Sequence, residues 1–132
     1  NHLVENTKSY QLVKIVLEKK SKAAYQGKIF VSSEAQKTDG YQLSNAILLS
    51  ENSEFNAKPE LEIYADDVKC SHGSSSGSLD ENSIFYLMSR GLNYKEAKKL
   101  LIYGFLLDVI EKITDEEIKN LIKNLLGVKE WA

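Results

Sequence analysis

The chain has few of the residues that build self-contained metal and disulfide sites. Its 132 residues include one cysteine, Cys70, and two histidines, His2 and His72. One cysteine cannot form an internal disulfide, a CxxC redox pair or a closed cysteine-rich zinc site. These three side chains supply at most three soft or borderline ligands. A metal bound by this chain would therefore need carboxylates, water or a second chain as additional ligands.

Other absences exclude further classes of protein. No apolar run approaches the roughly 18–20 residues that span a bilayer, and no signal-peptide pattern opens the chain. The 17 basic and 19 acidic residues give a net charge of −2, which provides no general attraction to nucleic acid. The motifs GxxxxGK[ST], GxGxxG, HExxH and GxSxG are missing as well. We therefore expect neither a membrane protein nor a nucleic-acid-binding protein, and we find no motif of a common enzyme class.

The first half of the chain has the pattern of short β-strands. Strand-like segments occur at residues 12–17, 28–32, 45–50, 61–65 and 68–72. Turn clusters separate them at residues 38–40, 51–53, 56–59 and 66–67. The apolar centres Phe30, Ile47 and Ile63 lie about 15–18 residues apart, an interval that suits the coils of a β-solenoid. An antiparallel sandwich is the alternative, although Asp39-Gly40 is the only dipeptide typical of its tight turns.

The second half has the pattern of three amphipathic helices. Apolar residues recur there every three to four positions, and each run follows a capping residue placed three before a glutamate. These capping residues are Ser78, Asn93 and Thr114. Gly91 and Gly127 stand where a helix commonly ends in the left-handed conformation. The pattern predicts helices near residues 79–90, 94–112 and 115–126.

A cysteine and a histidine lie two residues apart where the β half gives way to the helical half. Val68, Cys70 and His72 share one face of the predicted strand, and successive residues on that face lie about 6.5–7 Å apart. A thiolate and an imidazole so placed could ligate one metal. The alternative is structural, because cysteine is often buried as a small hydrophobe and a histidine often ends a strand. The following Gly73–Gly77 run is predicted to be a flexible link, since it lacks the lysine of a phosphate-binding loop.

One stretch of the chain is recognisable. Residues 58–73, with the sequence KPELEIYADDVKCSHG, closely resemble the C-terminal part of the SufB/SufD family of iron–sulfur cluster assembly proteins. The resemblance extends through residues 25–31, 35–39, 48–50 and 77–91, and covers the chain from about His2 to Ile113. The Cys70-x-His72 pair favours the SufD branch of that family. One departure is the serine run at residues 74–76, where the family usually has an Ala-Thr-Val-like sequence.

The resemblance implies a fold and an organisation into two domains. It implies a β-solenoid (parallel β-helix) end followed by a small C-terminal all-α helical domain. Residues 1–78 would be the C-terminal coils of the β-helix, and residues 79–132 would be the helical domain. Since the chain starts at Asn1 without methionine, we expect an excised or processed piece. Its exposed first coil, near residues 12–17, would then favour self-association.

The resemblance also implies a function. We expect a non-enzymatic scaffold subunit of iron–sulfur cluster assembly in the cytoplasm, paired with a SufB-like subunit through the β-helix. A SufC-like ABC ATPase would bind the helical domain. His72 matches a candidate cluster ligand that acts with a cysteine from the SufB-like subunit, and Cys70 matches the neighbouring cysteine. The cluster would be transient and shared with the partner chain, and the isolated chain is expected to hold none. The alternative is a β-solenoid interaction module with no metal role.

A surface for the ATPase is the last expectation. The helical half has apolar and aromatic residues distributed too widely for one buried stripe. Arg90 is the only arginine among the 17 basic residues, and arginine is suited to bidentate contacts. We therefore predict that Arg90, Tyr103 and Phe105 contribute to partner binding.

Overall fold

The computed structural model describes residues 1–127, which form two compact units, one of residues 1–78 and one of the residues that follow. The first unit contains only strands and the second only helices. The strands are β1 Lys8–Leu17, β2 Lys22–Val31, β3 Asp39–Leu48, β4 Glu54–Ile63 and β5 Lys69–Gly77. The helices are α1 Glu81–Ser89, α2 Tyr94–Ile110 and α3 Glu116–Leu125.

Successive strands belong alternately to two parallel sheets. Strands β1, β3 and β5 form one sheet in that order, and β2 pairs with β4 in the other. Paired residues lie 30 to 32 positions apart in the chain; for example, Lys8 pairs with Asp39 and Lys22 with Glu54. The predicted coil interval of about 15–18 residues is therefore wrong, because strands at that spacing lie in different sheets. The parallel pairing also excludes the antiparallel sandwich.

The core of the first unit is small and partly polar. Its buried cluster consists of Ile29, Val31, Ala35 and Ala65, with Leu61, Val68 and Cys70 packed against it. In β3 every second residue from Gly40 to Ala46 is buried, as the two-residue period of a strand requires. Two of these inner residues, Gln42 and Ser44, are polar. The inner side of this sheet is therefore held by hydrogen bonds as well as by apolar contacts.

The strands are longer than predicted, and two of the predicted turns overlap them. Residues 39 and 40 of the turn predicted at 38–40 are the first two residues of β3. Residues 56–59 lie within β4, where Pro59 pairs with Gly27. Within residues 1–127, β2 is the only strand that pairs with β4, so β4 is an edge strand. Edge strands tolerate proline because one side of the backbone makes no ladder hydrogen bonds.

The predicted flexible link at residues 73–77 is also wrong, because β5 continues through all five of its residues. Two side-chain hydrogen bonds join this run to β3. Ser44 Oγ donates to Ser74 Oγ at 3.1 Å, and Asn45 Nδ2 donates to Ser75 Oγ at 2.6 Å. Gly73 suits a close approach, since a Cβ atom there would lie 3.0 Å from Leu43 Cδ1. Serine and glycine here extend the sheet.

The three predicted helices are confirmed, with small corrections at their starts. Asn93 and Glu96 form the predicted capping box at the start of α2. The other two helices begin at aspartates, Asp80 for α1 and Asp115 for α3, whose carboxylates accept first-turn N–H groups. Ser78 and Thr114 are therefore not the caps, because an aspartate closer to each helix can accept these bonds.

A glycine follows the last turn of α1 and of α3. Gly91 and Gly127 both have positive φ angles, +105° and +67°, as the predicted helix stops require. In the described residues, no helix combines the length and apolar character needed to cross a bilayer.

Helix α3 carries its apolar stripe on an exposed side. Ile118, Leu121 and Leu125 are 49%, 57% and 76% exposed, whereas Lys119 is buried. The ammonium group of Lys119 lies 2.8 Å from the Glu116 carboxylate and 3.4 Å from that of Glu111. The hydrogen bond to Glu116 raises the pKa of Lys119, so the buried ammonium stays charged. The helical unit thus leaves apolar surface uncovered.

Candidate metal centre

Cys70 and His72 lie on the inner face of β5, next to inner residues of β3. In the register, Cys70 pairs with Gly40, His72 with Gln42 and Ser74 with Ser44. Paired residues of neighbouring strands project to the same side of a sheet, and Gln42 and Ser44 are buried on the inner side. The structure therefore brings the cysteine and the histidine onto one face, as the two-residue spacing predicted.

The thiol of Cys70 is partly buried and packs against the apolar core. It is a free cysteine, and its neighbours are the cluster formed around Ile29 and Val31. Gly40 makes room for it, because a Cβ atom at that position would lie 3.4 Å from Cys70 Sγ and 3.3 Å from Ile29 Cγ2. The sulfur thus has a defined position at the edge of the core.

His72 is in a different environment although it lies only two residues further along the strand. Its side chain is exposed, and no hydrogen bond or ion pair engages its ring within residues 1–127. Both ring nitrogens are therefore free to bind an external partner. In the neutral imidazole, one of these nitrogens carries a lone pair that a metal can accept.

The exposure of His72 follows from the number of strands in the second sheet. Its register partner Gln42 is buried, and the Gln42 amide donates to Glu60 O of β4 at 3.3 Å. Strand β4 thus covers the inner face of β3. In the part of the chain that the structure describes, the second sheet has no third strand to cover β5 in the same way. His72 therefore occupies an inner position that lacks a cover.

The pair alone does not complete a metal site. Among residues 1–127, no three histidine, cysteine, aspartate or glutamate side chains are grouped so that they could hold a metal ion. Cα atoms two residues apart on a strand are separated by about 6.5–7 Å, so both side chains can reach one ion between them. Cys70 and His72 can thus supply two ligands, and the remainder must come from elsewhere.

His2, which the sequence counted as a third soft ligand, is already engaged. Its Nδ1 lies 2.6 Å from Thr7 Oγ1, its Nε2 lies 2.8 Å from Ser9 Oγ, and the residue is buried. Burial lowers the pKa of His2, and the nearby terminal ammonium group lowers it further. The ring is held neutral between two hydroxyl groups, and neither nitrogen is free to bind a metal.

The predicted partner-binding residues of the helical unit lie at the end of α1 and within α2. Arg90 caps the end of α1, and its guanidinium carbon lies 5.9 Å from the centroid of the Tyr86 ring. Tyr103 and Phe105 are both partly buried in α2. Residues two apart on a helix do not face the same direction, so Tyr103 and Phe105 point to different sides.

A groove in the helical unit was not predicted as a site. It has a volume of about 380 Å³ and lies between the start of α1 and α2. Its walls are formed by Asp80, Asn82, Ser83, Tyr86, Leu87 and Leu101. Phe85, next to it in the chain, is 74% exposed. The sequence signal for this groove was the pair of adjacent aromatic residues in α1, Phe85 and Tyr86. The 3–4 residue period of the helix does not show which surface such a pair would form.

Comparisons with known proteins point to one family. The sequence model described as "SUF system FeS cluster assembly, SufBD core domain" matches residues 1–105. The chain is 43% identical over 119 residues to the iron–sulfur cluster assembly protein SufD of Escherichia coli, covering 90% of this chain and 28% of that protein. It is 42% identical to a SufBD family iron–sulfur cluster assembly protein of Synechocystis, covering 90% of this chain and 26% of that protein. It is 34% identical to SufD of Bacillus subtilis, covering 98% of this chain and 29% of that protein. The chain thus spans between a quarter and a third of the length of these relatives.

Proposed function

The chain belongs to the SufBD core family of the SUF system for iron–sulfur cluster assembly, and from this premise we propose that it is part of a non-enzymatic scaffold. Its inner-face pair, Cys70 and His72, would supply half of a cluster-binding site. The cluster is the cargo of this scaffold, and a second chain would supply the other ligands. The observation that carries the proposal is an exposed, unengaged histidine two residues from a free cysteine on the inner face of β5.

The chemistry of the two residues suits a labile site. Iron–sulfur clusters are held mainly by thiolates, and histidine replaces cysteine in some of them. Cys70 would bind as the thiolate and His72 through the lone pair of its neutral ring. Two ligands from one chain hold a cluster less firmly than four, so that a shared site can release its cargo when the chains rearrange. Release is what a scaffold requires.

The proposal includes a parallel β-helix, of which residues 1–78 would form the C-terminal coils. Support comes from the parallel pairing at intervals of 30 to 32 residues and from the alternation of strands between two sheets. Each such interval would be one coil that contributes a strand to each sheet. In that arrangement β5 begins a third coil.

The proposed partners are a SufB-like subunit and a SufC-like ABC ATPase. The free edge of β4 and the exposed inner position of His72 on β5 favour the β unit as the surface for the SufB-like subunit. The exposed Phe85 and Tyr86 beside Arg90 favour the helical unit as the surface for the ATPase, with Tyr103 and Phe105 as further candidates. The cytoplasmic location expected from the sequence is part of the same proposal.

The cluster role can be tested in the assembled complex. His72→Ala and Cys70→Ser would be compared with the wild type after co-expression with the SufB-like and SufC-like partners, by measuring bound iron and sulfide. Ser71→Ala is the matched control, because Ser71 lies between the two residues on the opposite, outer face. We expect loading to fall for both inner-face variants and to stay unchanged for Ser71→Ala. Undiminished loading by His72→Ala, in a complex that elutes at the normal size, would refute the cluster role.

The second candidate function is an interaction module in which Cys70 has only a structural role. The packing of the Cys70 side chain against the apolar core favours this hypothesis. The two functions predict different outcomes for Cys70→Ala. If the role is structural, the substitution lowers the stability of the β unit but leaves cluster loading unchanged. If Cys70 is a ligand, loading falls even under conditions where the complex stays folded.

Partner binding can be tested separately. We expect Arg90→Ala and Phe105→Ala together to weaken copurification of the ATPase, with circular dichroism unchanged. Lys99→Ala removes an exposed positive charge from α2 and serves as the control. Equal recovery of the ATPase by all three proteins would contradict the proposed surface.

A further inference from the structure

A charged groove lies at the beginning of the three-stranded sheet. Lys8, Asp39 and Lys69 are the first residues of β1, β3 and β5, and they lie side by side in register. Lys37 and Asp67, from the turns that precede β3 and β5, line the same groove, whose volume is about 330 Å³. Three lysines and two aspartates from three separate parts of the chain therefore line one groove.

The lysines of this groove have no charged partner. No carboxylate lies within ion-pair distance of Lys8, Lys37 or Lys69 in residues 1–127, and nothing else engages their ammonium groups there. Elsewhere in the β unit, Lys22, Lys28 and Lys58 each pair with a glutamate. The three lysines and two aspartates of the groove leave its side chains with a net charge of about +1, and this excess of positive charge favours an anion. The groove is thus unusual in a chain whose net charge is −2.

The backbone holds the groove in shape. Lys37 has a φ angle of +59°, in the left-handed region that a lysine seldom adopts. Its N–H donates to the carbonyl of Asp67, which ties the two turns together. Thr38, at the base of the groove, is buried and donates its hydroxyl to Ala35 O at 2.8 Å. A conformation of this kind persists only where surrounding contacts enforce it.

We propose that this groove binds hydrogen phosphate. The lysines would donate N–H bonds to its oxygens, as ammonium groups do to oxyanions. Asp39 or Asp67 would accept a hydrogen bond from its remaining O–H group, since an ionised carboxylate can only accept. This mixed lining discriminates among anions. Sulfate and a doubly ionised phosphate monoester have no proton to donate, and either would place an unprotonated oxygen against a carboxylate. The site does not depend on the proposed cluster role.

The test is a titration of the isotopically labelled chain, followed through its backbone amide NMR signals at a pH slightly above 7. Inorganic phosphate, sulfate and methyl phosphate would be compared with sodium chloride at equal ionic strength. We expect phosphate to shift the amides of residues 37–39 and 67–69 saturably, and the other two anions to shift them less. Lys69→Gln should weaken phosphate binding by about tenfold, the effect of losing one charge-assisted hydrogen bond.

Three variants complete the design. Lys20→Gln removes the same charge from an exposed turn outside the groove and should leave affinity within about twofold, as expected where charges are screened. Asp39→Asn and Asp67→Asn show which of the two aspartates accepts the hydrogen bond from the phosphate O–H group. Only the loss of that carboxylate should raise the affinity for sulfate to the affinity for phosphate. Amide shifts no larger than those caused by chloride would overturn the proposal. So would equal affinity of the wild-type chain for phosphate and sulfate, or equal weakening by Lys20→Gln and Lys69→Gln.

Discussion

Gly27 is the position where one added methyl group should do the most damage to the β unit. The residue is buried in β2, and its φ angle is not positive, so alanine is compatible with the backbone. An alanine Cβ would lie 2.7 Å from Tyr25 Cζ and closer still to Tyr25 Oη and Gln42 Oε1. Real Cβ atoms essentially never approach a neighbour to less than 3.0 Å, so one of these side chains must move.

Neither neighbour can move without cost. The Tyr25 hydroxyl lies 3.1 Å from both Gln11 Oε1 and Gln42 Oε1, and the Gln42 amide donates to Glu60 O. Overpacking a core costs about 1–3 kcal/mol. Leaving a buried polar group without its hydrogen bond costs about 1–3 kcal/mol more. Replacing glycine by alanine also restrains the unfolded chain, and this effect stabilises the folded state by about 0.4–1 kcal/mol. We therefore expect Gly27→Ala to destabilise the β unit by about 3 kcal/mol, within a range of about 1–5.5 kcal/mol.

Amide hydrogen exchange is the suitable assay, since it reports the free energy of opening for the strands separately from the helices. Gly77→Ala is the control, because Gly77 also lies in a strand but its added Cβ would meet nothing within 4 Å. That variant should be as stable as the wild type or up to about 1 kcal/mol more stable, because only the restraint on the unfolded chain remains. The cost of Gly27→Ala should also shrink in a Tyr25→Phe background, which removes one of the clashing oxygens. A protection pattern for Gly27→Ala equal to that of Gly77→Ala would refute the reasoning.

Three further predictions concern other parts of the chain. Gly104→Ala should stabilise α2 by about 1 kcal/mol, because Gly104 is exposed inside the helix and its added Cβ meets nothing; a loss of helical protection in hydrogen exchange would contradict this. Asn93→Ala should cost about 1 kcal/mol by removing the capping box with Glu96, whereas Asn93→Ser should retain most of the stability; equal melting of both variants would count against the cap. The pKa of His2 is lower in the folded chain than its ordinary value near 6.5, because burial disfavours the charged ring. The stability that His2 contributes is therefore fully present above the pKa of the unfolded chain, and it is lost as the pH falls through the pKa of the folded chain. NMR titration of the ring should show a midpoint below 6.5, and His2→Gln should flatten the decline in stability on the acid side; a midpoint at or above 6.5 would show that the site does not favour the neutral ring.

The helices could be predicted from the sequence because their signals are local. A cap, a glycine stop and a 3–4 residue period all lie within one helix length, and Asn93 with Glu96 is such a signal. The two misplaced caps show the limit of this information. Asp80 and Asp115 can cap a helix as well as Ser78 and Thr114 can, and the sequence alone does not choose between neighbouring acceptors.

The strands were harder to predict because their partners lie 30 to 32 residues away. The inner positions of β3 include Gln42 and Ser44, which interrupt the apolar alternation on which strand prediction depends. Their hydrogen bonds to Tyr25 and Ser74 come from other strands and are not visible in the local pattern. The strand starts were therefore missed, and the serines of β5 were interpreted as a linker.

For the candidate site, the spacing of Cys70 and His72 predicted a shared face, but not what covers it. The same inner row that buries Gln42 leaves His72 exposed, and the difference is one strand of the second sheet. A chain that paired with the free edge of β4 would continue that sheet across β5. It would exclude water from His72 and could place its own ligand beside the imidazole. A single cysteine and a single free histidine are then enough, because the strand that covers the site and the ligands that complete it would come from the same partner.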